Sequence, residues 1–390
     1  MFKELSDLRH IRNFNRVILP TSLAFFVYTF GWGITSPVFS IYVNNITGSA
    51  FLTGLVLSIT TMAGIFLNIP FGIVESRISM KRVLQVVLLV YSALALLYPE
   101  ANNFASLLGL SVGRGLASSL LWLTSWAYIF SYTDREVKGK ETGFFSDMND
   151  LASAVSPIIG GLASVLSFFL PFYILSLTSF AAFLIVTLRL RETPRLQKVP
   201  LRLQLARLSG HLRDSRFKKT VYLIVVFYAL INVYYSFISV FLNGEGISIP
   251  LIGVILTVAL LPAVALEVPI GHLVDSHGIR KTLSAAVVLT TVTALLMPLS
   301  SGFYYTVIVV TAFTVSYTVI FIALYSRMSD VMRQDKLTMT GAMATFKDLG
   351  YTIGPLLAGS AAELVGMRGT FLLTGGAFVL LLPVALLLRD

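Results

Sequence analysis

A few charged residues stand inside stretches otherwise apolar enough to cross a membrane: Arg114, Asp147, Asp150, Glu267, Lys347 and Asp348. A charge in hydrocarbon costs free energy, so residues of this kind mark ion pairs, proton relays or ligand contacts. Ser111, Arg114, Ser118, Trp122 and Ser125 recur at helical spacing and form one polar face, as a helix beside a water-filled cavity would. Glu267 lies eight residues before Asp275, about 12 Å along a helix, which puts it inside the bilayer. Low polarity favours the neutral form of a carboxylate, so Glu267 could take up and release a proton near neutral pH. Asp150 and Asp348 occupy equivalent places in two similar segments, with Lys347 adjacent to Asp348 and Asp147 near the start of its span. The plainer alternative is that Lys347 pairs with a nearby carboxylate and that Asp150 and Asp348 only cap cytoplasmic helix ends.

The elements that must hold these residues follow from composition. Of the 390 residues, 56% are hydrophobic and 12% charged; a soluble domain carries about 25% charged residues. That leaves too little polar surface to face water on all sides, and the long apolar runs point to lipid as the solvent. Twelve stretches are long enough to span, at 17–43, 52–74, 83–101, 104–132, 146–168, 171–190, 220–242, 250–274, 281–299, 303–328, 340–363 and 370–388. The net charge is +10, and 26 of the 29 Lys and Arg residues fall in alternate connections: the N-terminus, 75–82, 133–141, 189–219, 275–281, 327–336 and the C-terminus. By the positive-inside rule those connections and both termini are cytoplasmic, and the basic charge belongs to membrane topology and anionic lipids at that face, with no nucleic acid implied. The apolar run after the basic first sixteen residues is too long for a signal-peptide core and reads as a retained first helix.

Several chemistries lack their residues. With no cysteine there is no disulfide or thiolate metal site. No GxxxxGK[ST] phosphate loop, HExxH zinc pair or GxSxG elbow occurs among the 390 residues, and the four histidines are His10, His211, His272 and His277. The chain therefore does not read as an enzyme or an ATP-driven pump, and no cofactor or metal is implied.

The two halves repeat. Asn68-Ile-Pro70-Phe-Gly72-Ile-Val-Glu75-Ser76-Arg77-Ile-Ser79-Met-Lys81-Arg82 matches Glu267-Val-Pro269-Ile-Gly271-His-Leu-Val-Asp275-Ser-His-Gly278-Ile-Arg280-Lys281 at an offset of 199. Asp150-Leu-Ala152 through Ser156-Pro157 to Gly160-Gly161 matches Asp348-Leu-Gly350 through Gly354-Pro355 to Ala358-Gly359 at 198. Two matches at nearly one offset indicate a doubled six-helix unit, one recognised transporter design. The expected architecture is an all-α membrane protein of 12 transmembrane helices in two pseudo-symmetric bundles. The N-terminal bundle is 1–190, a basic cytoplasmic linker 191–219, and the C-terminal bundle 220–390.

On these motifs the chain resembles the major facilitator superfamily. Gly271-x3-Asp275-x2-Gly278-x-Arg280-Lys281 is similar to that family's cytoplasmic signature. In the first copy Ser76 stands at the Asp position, with Glu75 beside it, and Ser79 replaces Gly. The resemblance implies that Gly72, Glu75, Arg77, Gly271, Asp275 and Arg280 form a latch between the halves when the cavity opens outward. Gly350-x3-Gly354-Pro355 is similar to the family's Gly-Pro motif, with a looser copy at Ser156-Pro157. Pro157, Gly160, Gly161, Gly350, Gly354 and Pro355 are assigned to close helix packing. Arg114 sits where many members carry an intramembrane Arg, although Ala117 and Ser118 replace the usual Gln and Gly.

The resemblance also places helices one, four, seven and ten around a central cavity. Phe25, Tyr28, Trp32 and Ser36 in the first, Tyr228, Asn232, Tyr235 and Ser239 in the seventh, and Tyr317, Phe321 and Tyr325 in the tenth follow helical spacing. The expected substrate site is Tyr28, Trp32, Arg114, Ser118, Trp122, Asn232, Tyr235 and Tyr317. A large aromatic cavity with few charges suits lipophilic or amphipathic molecules better than sugars. Proton coupling is assigned to Glu267, Asp348, Asp150 and Lys347. The expected protein is a monomeric, multi-pass, proton-coupled exporter of small molecules in the cell membrane. An organic-anion or metabolite carrier using Arg114 and Lys347 is the alternative, and a non-transporting membrane sensor a remote one.

Overall fold

The computed structural model describes residues 17–68, 78–132, 138–192, 211, 214–299, 302–332 and 336–388. Among them every regular element is helical, as hydrocarbon demands of a backbone that must satisfy its own hydrogen bonds. The helices are α1 (Ile18–Thr47), α2 (Ala50–Asn68), α3 (Met80–Leu97), α4 (Phe104–Tyr132), α5 (Lys138–Leu166), α6 (Leu170–Arg189), α7 (Ser215–Gly244), α8 (Ile249–His277), α9 (Ile279–Leu296), α10 (Phe303–Met332) and α11 (Lys336–Ala377). Ten helices among the described residues are long and apolar enough to cross a membrane, and Ala50–Ile65 is a shorter apolar one. Large apolar side chains such as Leu166, Leu188, Ile308 and Leu357 point outward, a surface suited to lipid.

Local chemistry sets the ends. Gly48 closes α1 in the left-handed region, φ 63°, its N–H donating to the Asn44 carbonyl at 2.9 Å. The Asp214 carboxylate accepts from Arg216 N–H at 2.9 Å and starts α7 ahead of the apolar run. Helix α5 begins at Lys138, eight residues before the expected span, because helical hydrogen bonding continues past the lipid boundary into polar sequence. The expected spans 340–363 and 370–388 form one helical run broken at Gly366, φ 73°, and extended by turns at Phe378–Leu381 and Leu382–Leu386. The expected second span, 52–74, runs beyond the described end of α2 at Asn68.

Packing repeats as the sequence does. In the first half α1 lies on α5 and α6, α2 on α4, and α3 on α4 and α6; in the second, α7 lies on α11, and α10 on α8 and α9. Buried side chains form two clusters drawn from 17–190 and one drawn, apart from Ile41, from 217–388. Tyr98-Pro99-Glu100 ends α3 in a 3-10 turn, and Met297-Pro298-Leu299, 199 residues on, ends α9 the same way. The halves meet chiefly along α2 against α11 and α5 against α8.

Candidate functional site

Those two seams are built alike from glycine facing backbone. A Cβ added at Gly54 on α2 would stand 2.2 Å from the Pro355 carbonyl oxygen of α11; one at Gly253 on α8 would stand 2.4 Å from that of Pro157 on α5. A Cβ added at Gly359 would likewise stand 2.5 Å from the Ala50 carbonyl oxygen, and one at Gly161 would stand 3.0 Å from Ile249 and Pro250. Only a residue without a Cβ allows this approach. Cross-half hydrogen bonds lie in the same region: Thr257 Oγ1 accepts from Ile158 N–H at 2.9 Å, and Ser239 donates to the Ser36 carbonyl at 3.3 Å. All these contacts gather at the end carrying the 48–49, 167–169 and 245–248 turns.

Glu363 on α11 fastens that end. It accepts from the Ser49 hydroxyl at 2.6 Å and from Phe51 N–H at 3.2 Å, at the first turn of α2. A carboxylate there meets unpaired N–H groups and the positive end of the helix dipole. Replacing Glu363 by glutamine is expected to loosen this end, raising the labelling of a cysteine placed at Ser239 about two- to fivefold; unchanged labelling would show that Glu363 does not help to hold the halves together there. Nearby, Arg368 Nε donates to Glu245 at 2.8 Å, and a second Arg368 N–H completes a bidentate pair. The Arg368 hydrogen bonds hold the Glu245 carboxyl below its usual range.

In the first half Arg114 is 5% exposed and lies among rings rather than carboxylates. Its guanidinium is 4.1 Å from the Phe39 centroid, 4.5 Å from that of Trp32 and 5.9 Å from that of Tyr98. Among the described residues no carboxylate lies within ion-pair distance of it. Ring faces attract a desolvated cation by about 2 kcal/mol, which offsets part of the cost of burial. Tyr28 is buried edge-on against Tyr91 at 5.1 Å, with Ser118 beside it. Trp122 is half-buried against Phe25 at 5.9 Å.

The second grouping crosses the halves. Glu267 of α8 is half-buried, with Asp150 and Asp147 of α5 close enough to act on its charge. Asp150 accepts from Ser146 at 3.2 Å. Tyr235 of α7 feels Asp150, and Tyr317 of α10 feels Glu267. The two tyrosine hydroxyls are 2.5 Å apart. Asn232 donates to the Tyr351 carbonyl of α11 at 2.5 Å. Lys347 and Asp348 are half-buried one turn away on α11, where Tyr325 and Asp348 act on Lys347. Of the assigned coupling residues the structure thus brings Asp150 to Glu267, and Lys347 to Asp348. The substrate residues divide into a first-half set around Arg114 and a second-half set around Tyr235 and Tyr317.

Among the assigned packing residues, a Cβ added at Gly160 would stand 1.9 Å from the Ile34 carbonyl oxygen within the first half, and Gly350 and Gly354 face α7 backbone at Val225 and Ala229 within the second. Pro157 and Pro355 supply the carbonyls at the seams. For the latch, Asp275 and Arg280 are exposed at the opposite end, and nothing lies within 4 Å of a Cβ built on Gly271. Gly278 makes the α8–α9 turn at φ 83°. Gly72, Glu75 and Arg77 lie outside the described residues. Among the described residues no three metal-ligating side chains converge.

Sequence reasoning missed Gly54, Gly253 and Glu363 at the seam end and Phe39 and Tyr98 around Arg114. A signal for the glycines was present, since they are 199 residues apart in the repeat already recognised.

The profile of the Major Facilitator Superfamily matches residues 21–248 and again residues 224–390. Multidrug resistance protein 2 of Bacillus subtilis (strain 168) is 22% identical over 376 residues, covering 93% of this chain and 92% of that protein. The inward-facing, unoccupied structure of a bacterial homolog to the human lysosomal transporter Spinster superposes with a TM-score of 0.79 at 15% identity, covering 95% of each chain. The human organic anion transporter MFSD10 superposes with a TM-score of 0.70 at 14% identity, over 95% of this chain and 99% of that one. At such identity the likeness to solved structures establishes the fold and says nothing of the substrate.

Proposed function

Because this chain belongs to the major facilitator superfamily, we propose that it is a proton-coupled exporter of small lipophilic or amphipathic compounds, working by alternating access. It is a multi-pass membrane transporter and not an enzyme. In the proposed arrangement α1–α10 and the two arms of α11 on either side of Gly366 make twelve spans, six in each half, with both termini in the cytoplasm of a cell-membrane protein. The basic connections 78–82 and 280–281 then mark the inside, the seam end faces outside, and the conformation is closed outward.

One observation carries the reading: the two seams are related by the sequence repeat, Gly54 on Pro355 and Gly253 on Pro157. A pair of equivalent contacts on either side of one axis is the geometry of two rigid bundles rocking against each other. Asp275 and Arg280 are exposed at the opposite end, where they would latch the inner side once the outer side opens.

Charge at the seam between α5 and α8 supplies the coupling. Glu267, Asp150 and Asp147 repel one another across the halves when ionised, which favours keeping the inner ends of α5 and α8 apart. Protons, or the positive end of a bound substrate, would remove that repulsion and permit closure. Lys347 and Asp348 form the corresponding polar pair on α11. The aromatic side chains Trp32, Tyr235 and Tyr317 provide apolar area for a lipophilic body. The likeness to Multidrug resistance protein 2 supports drug export.

Arg114 favours a second reading, an organic-anion carrier, because its charge has no carboxylate partner among the described residues. Everted vesicles separate the two. An outward-directed substrate flux, seen as uptake of tetraphenylphosphonium driven by an acid interior, is expected for the exporter. Uptake of benzoate in its place would favour the anion carrier and contradict the proposed export of lipophilic or amphipathic compounds.

A further inference from the structure

The sequence repeat lets the two seams be compared position by position. Helix α2 begins at Ala50 and α8 at Ile249, 199 residues later, and Gly54 and Gly253 hold the same place on them. Their surroundings match as well. Besides the two proline carbonyls, a Cβ on Gly54 would meet the Gly359 Cα at 3.3 Å, and one on Gly253 the Gly161 Cα at 3.1 Å. One turn further along, the seams differ: the residue is Thr257 on α8 and Ser58 on α2.

Thr257 is paired and Ser58 is not. Thr257 Oγ1 accepts from Ile158 N–H at 2.9 Å. Ser58 is 3% exposed, and its hydroxyl makes no hydrogen bond among the described residues, although Leu356 stands on α11 where Ile158 stands on α5. The side chain is on the face of α2 turned to α11. Gly54, one turn before it, faces Pro355, and Thr61, one turn after it, stands 3.2 Å from Thr352, hydroxyl to hydroxyl. Thr60 and Thr61 turn back to carbonyls of their own helix at 3.3 and 3.0 Å; Ser58 makes no such bond. A threonine methyl restricts rotation about χ1, and serine lacks that restraint.

We propose that Ser58 is a release element: its unpaired hydroxyl burdens the docked α2–α11 seam and favours parting of the halves there. A buried hydroxyl without a partner has lost its water without replacement, and it regains that water when the seam opens. Thr257 acts in the opposite sense, since parting breaks its bond and docking restores it. Glu363 clamps the tip of the α2–α11 seam through Ser49 and Phe51, so a holding group and a releasing group lie on one pair of helices. The proposal deepens the alternating-access reading and rests on it for what parting achieves; the energetics of the seam need no flux.

The test removes one hydroxyl from each seam of the full chain, Ser58→Ala and Thr257→Val, both combined with Ser239→Cys. Neither change alters side-chain volume much. Ser58→Ala is expected to slow maleimide labelling at least about threefold and to raise the melting temperature. Thr257→Val leaves the Ile158 N–H buried without an acceptor, and is expected to speed labelling at least about threefold and to lower the melting temperature. A merely structural role for Ser58 would lower stability on substitution, the reverse of the expected sign. Any other pattern overturns the proposal, above all an unchanged rate for Ser58→Ala or a shift of both variants in one direction. Neither readout depends on a proton gradient, so loss of this contrast and failure of tetraphenylphosphonium uptake are separate results.

Discussion

Replacing Gly54 or Gly253 by alanine is expected to force the two halves apart at the seam end, the outer side in the proposed orientation. The added Cβ would lie 2.2 Å from the Pro355 oxygen in the first case and 2.4 Å from the Pro157 oxygen in the second. No real Cβ sits so close to a backbone oxygen, and helix backbone cannot yield as a side-chain tip can. The two halves must part at that seam. Overpacking of this kind costs about 1–3 kcal/mol, which shifts a two-state equilibrium by about 5- to 150-fold. Ser239, 2% exposed and donating to Ser36 at 3.3 Å, reports the state: a cysteine there should react with an impermeant maleimide, from outside in the proposed orientation, at least about fivefold faster in either variant. Gly160 and Gly354 are the controls. The carbonyls that an added Cβ would meet there, Ile34 at 1.9 Å and Ala229 at 2.2 Å, belong to the same half, so alanine there should lower thermal stability without raising the labelling rate. Equal labelling in all four variants would remove the special status of the seams.

The second large effect concerns energy coupling. Glu267→Gln is expected to cut pH-gradient-driven uptake at least about tenfold while leaving substrate exchange at equal pH within about twofold. The substitution keeps shape and removes the charge whose interaction with Asp150 and Asp147 crosses the α5–α8 seam. Without it, closure of the inner side no longer waits for a proton, and the rocking motion continues uncoupled. Asp150→Asn should show the same split more weakly, because Ser146 already shares its charge at 3.2 Å. Retention of full gradient-driven uptake by Glu267→Gln would move the coupling site elsewhere, Asp348 being next in line.

Much of this was legible in the chain because bilayer and repeat leave period and offset in the sequence. The apolar runs announced the helices, and the 198–199 offset announced that Pro157 and Pro355 do equivalent work. What the sequence did not disclose are contacts whose partners lie on helices remote in the chain. Arg114 reads as a cavity charge from its serine face, yet Trp32, Phe39 and Tyr98 surround it from α1 and the end of α3. Glu363 stands at a predicted span end, where a carboxylate looks ordinary, and gains meaning only from Ser49 and Phe51, some 312–314 residues earlier. The turn between the last two spans was expected at 364–369, and the structure concentrates the break at Gly366, where positive φ interrupts the helix.

Rocking about a central cavity is most directly read from paired distances during turnover. The chain has no cysteine, so spin labels at Asn103 and Leu299 would report the seam ends of the two halves, outer in the proposed orientation, and labels at Lys140 and His277 the opposite, inner ends. Adding tetraphenylphosphonium under a pH gradient should lengthen the first distance by several Å and shorten the second, in one correlated shift. Flux that proceeds while both distances stay fixed, or lengthen together, would contradict alternating access by these two halves.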